Sequence, residues 1–138
     1  MGKRRKAREV VLQALYEAEF SDKAWGEILD GQTKDRASTE ETVEYASLLL
    51  AKVRESVEDL DERIRASVNN WELERISLVD KNILRFALAE ILYFPSVPSK
   101  VIINEAIEIA YKYSSREAGR FVNGILDRFA REHRRDET

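Results

Sequence analysis

VEYASLLLAKVRESVEDLDERIRASV, residues 43–68, carries the clearest periodicity in the chain. Val43, Ala46, Leu50, Val53, Val57, Leu60, Ile64 and Val68 recur in steps of three and four. That spacing predicts one long helix, or two meeting at a shallow bend, with a single apolar face. A coiled coil has the same pattern, but a run this short is more often one wall of a helical bundle.

Around this run, no glycine or proline lies between Gly31 and Pro95, which favours helix throughout that span. Ser77-Leu78-Val79-Asp80 has the form of a capping box. It opens a helix that is apolar around most of its circumference, with Ile83, Leu84, Phe86, Ala87, Leu88, Ile91, Leu92 and Phe94, and such a helix belongs at the centre of the fold. Inside it, Arg85 and Glu90 are expected to reach the rim or to pair with neighbours. Pro95 and Pro98 stop this helix. Ile103, Ala106, Ile107 and Ala110 then continue at helical spacing. Ser114-Ser115-Arg116-Glu117 offers a second capping box before a last helix carrying Phe121, Ile125, Leu126 and Phe129. Gly124, inside that helix, suggests close backbone approach by a neighbour. The tail from Arg134 to Thr138 is expected to fray.

On the amino-terminal side a helix is predicted from about Arg4 to Phe20, with Val11, Ala14, Leu15 and Ala18 on one face. Residues 21–39 are the weakest region: Trp25, Ile28 and Leu29 suit a short helical turn, and Gly31–Asp35 reads as an exposed loop. The expected fold is all-α, within one domain of 138 residues.

The composition excludes much chemistry. There is no cysteine, which removes disulfide scaffolds, zinc ribbons, iron–sulfur sites and thiol nucleophiles, and fits a reducing compartment. His133 is the one histidine and stands near the tail, so a Ser–His nucleophile has no support. No glycine-rich phosphate loop is present. Adjacent acids such as Glu40-Glu41, Glu58-Asp59 and Asp61-Glu62 read as solvated helix surface. Enzyme activity, a cofactor and a metal are therefore not expected. No apolar run approaches the roughly 20 residues of a membrane span, so a cytoplasmic protein is expected, with no membrane partner.

The net charge of −3 conceals an asymmetry. Residues 1–8 hold five cations (Lys3, Arg4, Arg5, Lys6, Arg8) and no acid, whereas residues 9–110 carry a net charge of −10. Cations at a helix amino terminus oppose the macrodipole, so their placement asks for an explanation beyond helix stability. Arginines there grip phosphates, and Phe121 beside Arg116 and Arg120 could stack on an unpaired base. From periodicity alone Phe121 fits the core better, and Arg116 and Arg120 fit a solvated face.

Two segments read together carry a resemblance. Lys3-Arg4-Arg5-Lys6-Ala7-Arg8-Glu9 with Gln13-Ala14-Leu15-Tyr16, and Val97-Pro98-Ser99-Lys100-Val101-Ile102-Ile103-Asn104-Glu105-Ala106 with Phe121-Val122-Asn123-Gly124-Ile125-Leu126-Asp127, resemble the NusB transcription antitermination family in order and spacing. The resemblance implies a compact all-α protein of two small helical-bundle subdomains, residues 1–75 and 76–138, that binds the boxA element of ribosomal RNA leaders together with NusE, a small-subunit ribosomal protein. It also implies indirect contact with other Nus factors and RNA polymerase, and it allows a homodimer in the apo state. Carried over by position, it puts Arg4, Arg5, Lys6 and Arg8 at RNA, with Arg120 and Phe121 extending that surface, and Tyr16 and Asp80 at NusE. Asp80 stands where glutamate is expected, keeping the charge with a shorter reach. Lys6 stands where arginine is expected, keeping the charge without the planar fork. Two other readings compete: an RNA-binding accessory domain like those of ribosomal RNA methyltransferases, which requires a following cofactor domain, and a module that binds only protein.

Overall fold

The structure, a computed structural model, describes residues 2–36, 38–68 and 75–134. Their regular structure is helical: α1 (Gly2–Glu19), α2 (Trp25–Asp35), α3 (Glu40–Ser67), α4 (Leu78–Tyr93), α5 (Ser99–Tyr113) and α6 (Arg116–His133). The repeat in 43–68 forms one helix of 28 residues, α3, capped where the Thr39 hydroxyl accepts from the Thr42 N–H at 3.2 Å. Its apolar face, including Ala46, Leu50, Val53, Leu60 and Ile64, is buried.

The all-round apolar helix is the central one. α4 packs against α1, α3, α5 and α6, and Ile83, Leu84, Phe86, Ala87 and Leu88 have no exposed surface. Each large side chain so buried contributes about 1.5–3 kcal/mol, so α4 orders the rest of the bundle. It starts at Ser77, whose hydroxyl accepts from the Asp80 N–H at 3.1 Å, and ends before Pro95, while Pro98 precedes α5 as its cap residue.

Four local expectations need correction. Gly31–Asp35 is not a loop but the second half of α2. Buried Ile28 docks that helix, the Thr33 hydroxyl donates back to Leu29 O, and the Gln32 amide donates to Glu17 of α1. Tertiary contacts thus override a weak local signal. At α6 the cap is Ser115, accepting from the Ala118 N–H at 3.0 Å, so the Ser114–Glu117 box gives way to a one-sided cap, because Ala118 has no side chain to return the bond.

Arg134 does not fray. Its guanidinium donates to the carbonyls of Glu90, Ile91, Phe94 and Val97, closing the carboxyl end of α4, where helix geometry leaves acceptors unpaired. The remaining tail, 135–138, lies outside the described residues.

The glycines exchange roles. A Cβ on Gly124 would meet nothing within 4 Å, whereas one on Gly119 would sit 2.3 Å from the Tyr111 ring. The close approach is therefore at Gly119. Gly124→Ala should raise the unfolding free energy by about 1 kcal/mol through helix propensity. Urea denaturation checks this, and a loss of stability would restore the crowding expectation.

Candidate nucleic-acid interface

The basic run at the start of α1 divides into buried and exposed members. Arg8 and Glu90 are 1% and 0% exposed. The Arg8 Nε and Nη2 donate to the two Glu90 carboxylate oxygens, each at 2.7 Å. Tyr45 of α3 donates its hydroxyl to Glu90 Oε2 at 2.5 Å, so three helices meet on one carboxylate. Burial alone would lower the Arg8 pKa, but the Glu90 hydrogen bonds and charge outweigh it and hold the pKa above the ordinary value. Burial, then the Glu90 charge, push the Tyr45 phenol up.

Arg8 is therefore corrected from an RNA contact to the inner clamp of the fold. The reason is helical geometry: Arg8 falls among Ala7, Val10, Val11 and Leu12, all buried, so its side chain points inward.

Arg5 is intermediate. Its Nε and Nη2 donate to the Glu105 oxygens at 2.5 and 2.8 Å, tying α1 to α5. The Arg5 hydrogen bond holds the Glu105 carboxyl below the usual range, and Glu105 raises the Arg5 pKa in return. Glu9 is likewise buried between Arg36 of the chain after α2 and Lys112 of α5, whose ammonium donates to it at 3.0 Å and has its own pKa raised by that bond.

Lys3, Arg4 and Lys6 remain exposed. Arg4 lies 4.7 Å above the Tyr45 ring, which holds the guanidinium in place without consuming its hydrogen bonds. Lys3 pairs with Glu41 at 2.7 Å, and both groups are more than half exposed, so the pair opposes phosphate binding only weakly.

At the start of α6, Arg116 and Arg120 are both exposed. Arg116 sits 5.3 Å from the centroid of the Tyr111 ring, itself 40% exposed. Gly119 makes this arrangement possible, because the ring occupies the space its missing Cβ would take. Sequence reasoning missed Tyr111. Its signal was a helical glycine three residues beyond Arg116, which was present but could not be told from Gly124.

Phe121 is 37% exposed and is neither fully core nor free. It lines a cavity of about 340 Å³ with Arg75, Ile76, Ser77 and Asp80, so the structure brings together Phe121 and Asp80, which the resemblance places on different surfaces. The Asp80 Oδ1 is buried there without a hydrogen-bond partner.

Tyr16, 40% exposed, packs against the 72% exposed Phe20 with centroids 5.2 Å apart. α1 and α4 run antiparallel, since Arg8 meets Glu90 while Leu15 shares a cleft with Asn82. Tyr16 and Asp80 thus lie toward the same end of the molecule. Among the described residues no group of His, Asp or Glu side chains is arranged to hold a metal ion, and no helix is long and apolar enough to cross a membrane.

Fold and surface together define a helical-bundle protein with exposed cations at the start of one helix and cations beside half-exposed aromatic rings on another. The chain belongs to the NusB family, which matches residues 5–131. It is 40% identical to the transcription antitermination protein NusB of Thermodesulfovibrio yellowstonii, covering 94% of this chain and 93% of that one. The crystal form 2 structure of T. maritima NusB superimposes with a TM-score of 0.86 at 39% identity, covering 94% and 92% of the two chains. A further structure of the same fold, 24% identical with a TM-score of 0.85, covers 96% of this chain and 98% of its own. It is of antitermination factors NusB and NusE in complex with double-stranded RNA.

Proposed function

We propose that this protein is a transcription antitermination factor that binds boxA RNA of ribosomal RNA leaders together with NusE and holds that RNA near RNA polymerase. The observation that carries the reading is membership of the NusB family over residues 5–131, with a relative 40% identical that bears the antitermination name. The exposed cations supply the physical means. Lys3, Arg4 and Lys6 on α1 and Arg116 and Arg120 on α6 would contact phosphates, while Tyr111 and Phe121 offer rings for stacking. Tyr16, Phe20 and Asp80 are assigned to NusE. The protein acts as a scaffold in the cytoplasm, where nascent RNA is made, and not as an enzyme: holding RNA and a polymerase-bound protein together raises the local concentration of one near the other.

Fluorescence anisotropy of a labelled boxA RNA, titrated with this protein with and without NusE, tests the reading. Binding that tightens when NusE is present is the expected result, and no RNA binding in either case overturns it. Phe121→Ala should weaken RNA binding by about 1–3 kcal/mol with little change in salt dependence, because a stacked base is lost and no charge is removed. Its thermal midpoint should move little, since the ring is not fully buried. A large fall in midpoint at unchanged affinity would return Phe121 to the core.

A further inference from the structure

The cations that open α1 are not all held in the same way. Lys3, Arg5 and Arg8 are each matched by a carboxylate, those of Glu41, Glu105 and Glu90. Arg4 is exposed and has no acidic partner among the described residues, yet its guanidinium lies 4.7 Å from the centroid of the Tyr45 ring. That half-buried ring is itself fixed from inside the fold. Its hydroxyl donates to Glu90 Oε2 at 2.5 Å, and the Phe94 ring meets it edge-on with centroids 5.4 Å apart. Arg8, one turn from Arg4 on the same face of α1, lies 5.8 Å from the same ring. One turn before Tyr45 on α3, the buried Thr42 hydroxyl donates to the Lys3 carbonyl at 3.3 Å, which sets the start of α1 beside the ring.

A long, exposed arginine samples many rotamers, and ordering it on binding costs entropy. A carboxylate would order it too, but would occupy its donors and cancel its charge. An aromatic face attracts the guanidinium through its negative quadrupole and leaves the N–H edge and the full charge for a phosphate. Donation of the phenol hydroxyl to Glu90 makes the ring more electron-rich, which strengthens that attraction. We propose that Tyr45 is a positioning residue of the RNA surface: fixed by Glu90 and Phe94, its ring holds Arg4 ready for a phosphate, so that one side chain serves both the buried clamp and the exposed grip. The proposal rests on the reading of this chain as a boxA RNA binder.

The test compares boxA RNA affinity and its salt slope, with NusE saturating, in Tyr45→Leu, in Tyr45→Phe and in a chain whose Tyr45 is replaced by pentafluorophenylalanine. The fluorinated ring keeps nearly the size of phenylalanine but repels a cation, so it separates the ring's electrostatics from its packing. Tyr45→Phe keeps the ring face and should bind within about twofold of the parent. Relative to it, Tyr45→Leu and the fluorinated chain should each lose about fivefold near 0.1 M salt, the worth of one phosphate contact, with a slope smaller by about 0.7. In an Arg4→Ala background these differences should vanish, because nothing is left to position, whereas a loss of fold would lower affinity in both backgrounds. Should Tyr45→Leu not fold, the fluorinated chain carries the comparison. If the fluorinated chain binds as Tyr45→Phe does, or its loss persists with Arg4→Ala, Tyr45 acts only in the fold and the proposal is overturned while the family reading stands. A parent that binds no boxA RNA overturns both.

Discussion

Arg8→Ala should lower the unfolding free energy by about 3–5 kcal/mol, because it strands the Glu90 carboxylate in the core with only the Tyr45 hydroxyl to satisfy it. This is a large share of the 5–15 kcal/mol by which a domain of this size is stable, so the thermal midpoint should fall steeply. Removing the whole cluster should behave differently. A triple substitution of Arg8→Met, Glu90→Leu and Tyr45→Phe leaves no unpaired buried charge, and should recover most or all of the loss. Chemical denaturation of the two variants checks the contrast. Equal losses in both would show that packing around Arg8, and not its charge pairing, holds α1 to α4.

The second large effect concerns RNA. Replacing Lys3, Arg4 and Lys6 together by alanine removes the exposed cations of α1 while leaving the Arg8–Glu90 clamp intact. For single-stranded RNA each neutralised phosphate contributes about 0.7 to the logarithmic salt slope, so three contacts contribute roughly 2, or about a hundredfold in affinity near 0.1 M salt. On the proposed assignment of Tyr16 to NusE, binding of that partner should stay close to the parent value, because Tyr16 lies at the other end of α1 from the cations. Anisotropy titrations at several salt concentrations measure the loss. A variant that keeps the parental affinity would make the basic run a solubility feature.

Much of this fold is legible in the sequence because its helices are long and strongly periodic. The 43–68 repeat and the apolar run from Ile83 to Phe94 allow few alternatives, and the two prolines after Phe94 place the next boundary. The α2 segment is less legible, since its helix depends on Ile28 docking and on the Gln32–Glu17 bond, neither of which a local pattern encodes. The site is legible in kind but not in detail. A run of five cations reads as a uniform surface, whereas helical rotation turns Arg8 into the core and leans Arg5 on Glu105. Their acidic partners stand about 80 and 100 residues away in the chain, so no local spacing could pair them. The same holds for Gly119 and Tyr111, which only the packing of α5 on α6 brings together.

The exposed cations of α1 are proposed to grip RNA, while the buried one, Arg8, holds the fold through Glu90. The most direct test is the salt dependence of boxA RNA affinity, with NusE saturating, for three proteins: the parent, the Lys3/Arg4/Lys6 alanine variant, and the Arg8→Met, Glu90→Leu, Tyr45→Phe variant. The slope should fall by about 2 in the alanine variant and match the parent in the core variant. A parental slope in the alanine variant, or a reduced slope in the folded core variant, would contradict that assignment.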